Sequence, residues 1–354
     1  MKILVLTQKI DKNDDALGFF HSWVAELALQ YERVIVVCLE KGLHDLPLNV
    51  DVFSLGKELR KDKFSPLGSV KGIFNRAIYL VRFYILIFRN IRKYDKVFVH
   101  MNSIYIIFGW PVWKFFGKKT GLWCNHPKGS WIIDLAVRLA DTSFCTSSFA
   151  YLAKFKKTIL MPVGIKTEDY GHESSPATQR SILFLGRITP IKKVEVFLEA
   201  LTFLQSWGFK FSANIIGDPD PGQREYYDGL KKLSKEKGLD KYLVWLPAIP
   251  HHKTPLTFRK YELFVNLTPT GSMDKTIFEA MASKVLVIIS NKSLSGQISE
   301  NFITDNKPEE IAQKIVHILT LSEVAKEKYR EDNLLYVSNN HSLKYLVSRL
   351  KVLL

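Results

Sequence analysis

The segment SILFLGRITPIKKVEVFLEALTFLQSWG (181–208) passes from an apolar run into a helical pattern. The run SILFL predicts a buried strand, and VEVFLEALTFLQSWG repeats its apolar residues at the spacing of a helix. Gly186 and Arg187 fall directly after the predicted strand. A strand followed by a crossover helix is the repeating unit of a parallel sheet, so this segment predicts an α/β fold.

Two series of such strand–helix units run along the chain, and they meet near Pro162-Val163-Gly164. We therefore predict two Rossmann-like, doubly wound domains, 1–163 and 164–334, that face a central cleft. The C-terminal helix, at about 335–354, is expected to pack back on the first domain. Ligands of such sheets bind beyond the carboxyl ends of the strands, so the residues that follow each strand are the first candidates for a site.

The composition is that of a globular protein: 354 residues, 47% apolar and 24% charged. This length favours two domains over one core. The three cysteines, Cys38, Cys124 and Cys145, lie far apart without a CxxC spacing, which argues against a disulfide framework or a zinc site. The opening MKILVLTQK reads as a strand and not as a signal peptide. We expect a cytoplasmic protein.

The net charge of +15 is concentrated in residues 57–119, which hold fourteen Lys/Arg and three Asp/Glu. The apolar run AIYLVRFYILIF (77–88) lies within this stretch, but it is interrupted by Arg82 and is shorter than the roughly 20 residues of a membrane span. Two interpretations are equally supported: a surface that docks on anionic lipid, or an internal helix whose basic side chains snorkel into water. Nucleic-acid binding ranks below both because no nucleic-acid motif is present.

Cations and glycines follow several of the predicted strands. Arg187 and Lys192, in FLGRITPIKK (184–193), precede a helix and fit a phosphate site, although on spacing alone a solvated basic helix start is the commoner interpretation. Gly217, in IIGDPDPG (215–222), allows close approach of a ligand or of the chain itself. Ile249, in YLVWLPAIP (242–250), belongs to a segment whose exposed backbone could make hydrogen bonds to a flat ring.

The segment GSMDKTIFEAMAS (271–283) leads from a polar loop into an apolar helix that carries one carboxylate, Glu279. Thr276-x-x-Glu279 matches a helix capping box, in which Glu279 accepts a hydrogen bond from the backbone. Asp274 and Ser272 are the alternative helix caps.

The order and spacing of four segments resemble glycosyltransferase family 4. These segments are GR-x4-K after a strand, IIGD, LP-x-IP and EAMAS-x-VLVI-x-SN. The resemblance is strong over about 160–295 and consistent before it: VGIKTEDY (163–170) resembles the family's linker segment, and Gly18 falls in its amino-terminal glycine loop. Members of the family have the GT-B fold, in which two Rossmann-like domains bind a nucleotide-sugar and transfer its sugar with retention of configuration.

The resemblance implies roles for the cations and acids of the second domain. Arg187 and Lys192 would grip the leaving diphosphate and be catalytic, so that no metal or other cofactor is expected. The DPD at 218–220 has the form of a metal motif but falls at the family's glycine turn. Glu279 would hold the donor ribose. Gly271 stands where the family has a second glutamate, and we hypothesise that Asp274 supplies that catalytic acid.

Further donor contacts are implied at the start of the last helix and in the first domain. The backbone N–H groups of Lys275, Thr276 and Ile277 would meet the diphosphate, with Lys275 as a third cation; Gly186, Gly217, Ile249 and Gly271 complete the donor-binding set. His126, in CNHPKGS (124–130), would contact the donor sugar, with His100 as the second candidate. Gly18 and His21 are expected near the cleft.

We therefore predict a retaining, metal-independent glycosyltransferase. Its donor is expected to be a UDP- or GDP-sugar, and its acceptor a glycan or a lipid-linked sugar at the cytoplasmic membrane face. Three alternatives stay open: a sugar phosphorylase or nucleotide-sugar epimerase, an inactive scaffold that lost its acid at Gly271, and a nucleic-acid binder.

Overall fold

The computed structural model describes residues 1–59, 70–170, 177–271 and 273–354. The chain divides into two compact units: Met1–Met161 with Leu346–Leu354, and Pro162–Tyr345. Residues 335–345, which the prediction placed with the returning segment, belong to the second unit. The alternative cap Ser272, and the part of the basic stretch at 60–69, lie outside the described residues.

The first unit is built on a seven-stranded parallel sheet with the order β3-β2-β1-β4-β5-β6-β7. The interior strand β1 is an apolar run with no exposed side chain from Ile3 to Leu6, as expected for a parallel sheet that is covered on both faces. The elements are β1 (Lys2–Ile10), α1 (Phe19–Gln30), β2 (Arg33–Lys41), β3 (Val50–Ser54), α2 (Val70–Arg89), β4 (Lys96–His100), α3 (Ile104–Phe115), β5 (Lys119–Trp123), α4 (Trp131–Leu139), β6 (Thr142–Cys145) and β7 (Thr158–Leu160).

The second unit has a five-stranded parallel sheet with the order β10-β9-β8-β11-β12. Its elements are β8 (Thr178–Leu185), α5 (Val194–Ser206), β9 (Ser212–Ile216), α6 (Arg224–Glu236), β10 (Leu243–Leu246), α7 (Thr254–Phe258), β11 (Tyr261–Asn266), α8 (Lys275–Ala282), β12 (Leu286–Ile289), α9 (Pro308–Thr320) and α10 (Glu323–Asn340). The last helix, α11 (Leu343–Leu353), begins in the second unit and belongs to the first unit from Leu346 onward. The predicted α/β class, with two Rossmann-like domains, is confirmed.

The carboxyl ends of β8 and β9 approach each other closely at Gly217. Its N–H donates to Leu246 O at 3.1 Å, and Gly186 N–H donates to Ile216 O at 3.0 Å. A Cβ atom on Gly217 would lie 1.9 Å from Gly186 O. Because the clashing atom belongs to the backbone, only glycine fits at this position.

The segment that opens the second unit is bonded to the segment that closes it. Gly164 N and Ile165 N both donate to His341 O, and Val163 N donates to Nδ1 of His341 at 3.3 Å. The Nε2 atom of His341 faces the Tyr336 hydroxyl at 3.0 Å. The ring and the backbone carbonyl of His341 therefore hold the first residues of Val163–Tyr170, the segment that resembles the family's linker.

Within the described residues, no helix combines the length and the apolar character needed to cross a bilayer. The helix α2 nevertheless has two apolar faces. Phe83 and Ile87 are buried in the core of the first unit, whereas Val81 and Ile85 are more than half exposed.

Candidate functional site

The predicted donor-binding residues of the second unit lie beyond the carboxyl ends of its strands. Arg187 follows β8, Gly217 follows β9, Ile249 follows β10 and Gly271 follows β11. These strands are neighbours in one parallel sheet, so the residues that follow them share one edge. The tertiary structure thus brings together positions that are far apart in the sequence.

The closest contact at this edge joins two predicted catalytic residues, Lys192 and Asp274. Lys192 ends a short 3-10 turn before α5, and its Nζ donates to Oδ2 of Asp274 and, at 3.1 Å, to Thr268 Oγ1. Both charged side chains are more than four-fifths buried. Burial alone raises the pKa of the Asp274 carboxyl, but the Lys192 charge and the hydrogen bonds to the carboxylate outweigh it and hold that pKa well below its usual range.

Asp274 is also the N-cap of α8, and both its oxygens are occupied by protein donors. Oδ2 accepts from Asn266 Nδ2 at 2.9 Å and from Thr268 Oγ1 at 3.1 Å. Oδ1 accepts from the amide and the hydroxyl of Thr276 at 3.3 and 3.0 Å. Together with Lys192, five donors saturate the carboxylate. In this arrangement no acceptor site is left on the carboxylate for a sugar hydroxyl, so the role of Asp274 as the catalytic acid stays a prediction.

Glu279 does not form the predicted capping box. Its Oε1 lies 2.9 Å from Nε2 of His251, and only 2% of the residue is exposed. Burial raises the pKa of the Tyr170 hydroxyl, and the Glu279 charge and hydrogen bond raise it further. Glu279 is thus held by side chains from two other segments. The capping role that the sequence pattern assigned to this region is filled by Asp274.

Lys275 does not present a third cation to the edge. Its Nζ donates to Val163 O at 2.5 Å and to Gly164 O at 3.3 Å. Burial lowers the pKa of Lys275 to about 7, although the negative charge of Glu279 acts in the opposite direction. The amino group therefore tethers α8 to the first residues of the unit, in place of the expected contact with a phosphate.

The first turn of α8 is largely engaged with the protein. The amide of Thr276 donates to the Asp274 side chain, and that of Ile277 donates to Asp274 O at 3.2 Å. The Ile277 side chain is fully buried in the core, so it could contribute only backbone atoms to a ligand. Gly271 is buried with a φ of 130°, a conformation that side chains rarely adopt.

Arg187 forms an exposed ion pair that can be broken readily. Its Nη1 lies 3.2 Å from both carboxylate oxygens of Asp220. More than half of the Arg187 side chain is exposed, so this pair contributes about 0–1 kcal/mol. The neighbouring Asp218 accepts from Ala248 N at 3.2 Å. Over the described parts of the chain, no three His, Cys, Asp or Glu side chains form a group that could hold a metal ion.

The predicted residues of the first unit do not form a comparable cluster. The His126 side chain is exposed, and its Nδ1 lies 2.7 Å from Lys128 O. His100 is 3% exposed and stacks on Phe20 with ring centroids 4.1 Å apart, as a core residue does. His21 Nε2 lies 3.0 Å from Asp45 Oδ1. Gly18 is buried as the N-cap of α1, with an ordinary helical φ of −55°.

The family model for glycosyl transferases group 1 matches residues 179–321, within the second unit. Among solved structures, HepE from Anabaena in complex with UDP-glucose is 16% identical, with a TM-score of 0.76 over 100% of both chains. The sucrose-phosphate synthase from Thermosynechococcus elongatus is 15% identical, with a TM-score of 0.75 over 100% of this chain and 98% of that one. No curated protein sequence matches the chain significantly.

The chain has the GT-B fold. At these identities the solved structures show the fold alone, and the group 1 family match adds support for a glycosyltransferase. In this GT-B chain, sequence reasoning missed His251 and Tyr170, the two side chains that hold Glu279. His251 follows the LPAIP segment directly, but one histidine at a turn gives no signal of its partner.

Proposed function

We propose that the protein is a retaining, metal-independent glycosyltransferase of the family 4 type. Its donor is a UDP- or GDP-sugar, and its acceptor is a glycan or a lipid-linked sugar. The observation that carries the proposal is the carboxyl edge of the second sheet, where Arg187, Lys192 and Glu279 follow or face neighbouring strands. The match of residues 179–321 to glycosyl transferases group 1 supports the coarser part of the proposal, a glycosyltransferase.

The two cations suit the stabilisation of a leaving diphosphate. Lys192 directs two of its three N–H bonds to Asp274 and Thr268, so its position is set before a ligand arrives and one N–H remains for a phosphate oxygen. Arg187 can leave Asp220 at little cost and turn to the same charge. Fixed cations of this kind stabilise the charge that develops as the glycosidic bond breaks.

The remaining donor contacts follow from the same edge. Glu279 accepts the ribose hydroxyls, the backbone at Gly186 and Gly217 approaches the nucleotide, and Ile249 lies beside the base. Asp274 acts on the reaction through Lys192, which it holds in place. His126 keeps its proposed contact with the donor sugar.

Thermal denaturation with UDP-, GDP- and ADP-sugars tests the donor. Because the HepE structure contains UDP-glucose, UDP-sugars are the first probes. We expect one nucleotide class to raise the melting temperature of the wild type but not of Lys192→Met. If no nucleotide sugar stabilises the protein or is consumed, the proposal is wrong and an inactive scaffold is the better description.

The reaction type needs two further measurements. Proton NMR of the product should show the anomeric configuration of the donor, and turnover should persist in EDTA. Inversion, or a strict requirement for added metal, would contradict the proposal. Sugar release that depends on inorganic phosphate would instead indicate a phosphorylase.

We further propose that the acceptor lies at the cytoplasmic face of a membrane. Phe74, Val81, Ile85 and Phe88 are each at least half exposed and follow one another at helical spacing. We call these four residues the α2 stripe; they lie on the side of α2 opposite the buried Phe83. A stripe of large apolar side chains with Arg89 at its end fits an anionic bilayer surface.

Vesicle flotation tests this surface. The wild type should bind vesicles with 30% anionic lipid at low salt, and Val81→Ser/Ile85→Ser should lower binding by about 100-fold or more, since each buried apolar side chain adds roughly 1.5–3 kcal/mol. Replacing Arg89, Arg92 and Lys93 by Gln should weaken binding to anionic vesicles, whereas the same change at the exposed Lys232, Lys235 and Lys241 on the second unit should not. Equal binding by all variants would refute the membrane assignment.

A further inference from the structure

We propose that His251 is the positioning residue of the ribose carboxylate: it holds Glu279 in the orientation that reads the ribose hydroxyls of the donor. The inference rests on the proposed function, since it assigns a residue to the nucleotide site proposed above. Neither the sequence motifs nor the family match assigns His251 a role.

The geometry of the pair fixes which atom donates. Nε2 of His251 lies 2.9 Å from Oε1 of Glu279, and the imidazole tautomer with its proton on Nε2 donates to this carboxylate oxygen. The His251 side chain is about one-fifth exposed, while that of Glu279 is almost wholly buried. The histidine is therefore the more exposed partner of the pair, and its hydrogen bond restricts rotation of the carboxylate about its last torsion angle.

A second group secures the arrangement from the other side. Tyr170, 4% exposed, donates its proton to Glu279, and its hydroxyl oxygen lies 3.1 Å from Thr254 Oγ1. The Thr254 hydroxyl has one proton, which it donates either to Tyr170 or to His251 O, 2.9 Å away. Thr254 is therefore within hydrogen-bond distance of both the His251 backbone and the side chain that donates to Glu279. The two holders of the carboxylate belong to one hydrogen-bonded unit, so its orientation is set by the fold and not by the ligand.

A carboxylate that accepts from two vicinal hydroxyls must present its oxygens at a defined angle. Glu279 has two oxygens and about four lone-pair directions, of which His251 takes one on Oε1 and Tyr170 takes a second. The orientation left by this contact decides whether both ribose hydroxyls can be reached together. Loss of the contact should therefore lower the discrimination between ribose and deoxyribose more than it lowers nucleotide affinity itself.

The experiment compares the affinity of a nucleoside diphosphate with that of its 2′-deoxy analogue, measured by calorimetry on the full chain. The base is the one that stabilises the wild type. The variants are His251→Ala, His251→Gln and Glu279→Gln, with His252→Ala, an exposed neighbouring histidine, as the matched control. Gln offers a donor in place of Nε2 and serves as the conservative replacement.

We expect the wild type and His252→Ala to prefer the ribose form equally. Glu279→Gln and His251→Ala should each lose about 10-fold of that preference, the effect of one hydrogen bond to a charged group, and His251→Gln should regain part of it. A purely structural role would instead lower the melting temperature and weaken both nucleotides by the same factor. An unchanged ratio in a folded His251→Ala protein overturns the assignment.

Failure of the two proposals can be told apart. If the wild type binds none of the nucleoside diphosphates, the proposed function fails and this assignment fails with it. If the wild type binds them and Glu279→Gln alone loses the preference for ribose, the proposed function stands and only the role of His251 is refuted.

Discussion

The carboxyl edges of the two sheets differ in how their polar residues are held. At the second sheet, Lys192 pairs with Asp274 and His251 pairs with Glu279, and both carboxylates are buried. At the first sheet, His126 is exposed and His100 is packed among aromatic rings. The second edge is therefore an organised electrostatic site, whereas the histidines of the first edge share no hydrogen-bonded network among the contacts described for them.

The difference shows what a buried charge requires. A carboxylate enclosed in protein must have donors, and the donors then fix its position. At the second edge that requirement places each acid within reach of a base from another segment. An exposed histidine such as His126 has no such requirement, and the buried His100 meets its own with the Thr7 hydroxyl at 3.4 Å, so the positions of these two residues say less about function.

The largest expected effect breaks the Lys192–Asp274 pair. Lys192→Met leaves the Asp274 carboxylate buried without its cation, so we expect a loss of about 3–5 kcal/mol in the free energy of unfolding. Lys192→Met/Asp274→Asn removes both charges and should recover most of that loss, although not the activity. Urea denaturation measures the free energy of unfolding of the single and the double variant. Equal stability of the single and double variants would mean that the buried Asp274 carboxylate does not depend on the Lys192 charge.

The next effect is a pH dependence at His341. Burial, and then the charge of Lys275, lower the pKa of this histidine from 6.5 to about 4. The unfolded state therefore binds more protons between these values, and stability should fall as the pH drops from about 6.5 to 4, by up to about 3 kcal/mol. Protonation would also set an N–H at Nδ1 against the Val163 N–H.

His341→Asn keeps an acceptor for the Val163 amide but does not titrate. The difference in unfolding free energy between the wild type and His341→Asn should shrink as the pH falls through this window. A difference that stays constant from pH 7 to pH 4 would contradict the lowered pKa.

A smaller effect is expected at the backbone of the second edge. Gly217→Ala places a Cβ 1.9 Å from Gly186 O, and we expect a loss of about 1–3 kcal/mol, with weakened donor binding because the β8 and β9 ends must separate. Gly229, inside α6, has open space for a Cβ and is the matched control. Gly229→Ala should stabilise the protein by about 0.5–1 kcal/mol. Thermal denaturation of the two variants decides whether the close approach matters.

The smallest expected effect comes from replacing the two histidines of the first unit, His100 and His126, by alanine. His100→Ala removes a ring stacked on Phe20, so we expect a loss of about 0.5–1.5 kcal/mol in the free energy of unfolding. His126→Ala should leave stability unchanged, since the side chain is exposed, and should lower the turnover number if it contacts the donor sugar. The reverse pattern, with His126 structural and His100 catalytic, would exchange the two assignments.

Much of the fold was accessible from the sequence. Apolar runs such as SILFL predicted buried strands because parallel strands are covered on both faces, and the alternation with helical patterns predicted two doubly wound sheets. The unit to which residues 335–345 belong was not accessible from the sequence. They belong to the second unit, where Tyr336 and His341 contact each other. Apolar spacing predicts that a helix is amphipathic, but not which core receives it.

The sequence by itself determined which residues stand at the carboxyl edge of the second sheet, since the order of strands and helices places Arg187, Lys192 and Glu279 there. Only the tertiary structure decided their partners. Asp274 lies 82 positions from Lys192, and His251 lies 28 positions from Glu279. A hydrogen bond depends on distance to a few tenths of an ångström, and the packing of many residues sets that distance. The local pattern around Thr276 and Glu279 therefore predicted a capping box, whereas packing assigned the cap to Asp274 and gave Glu279 to His251.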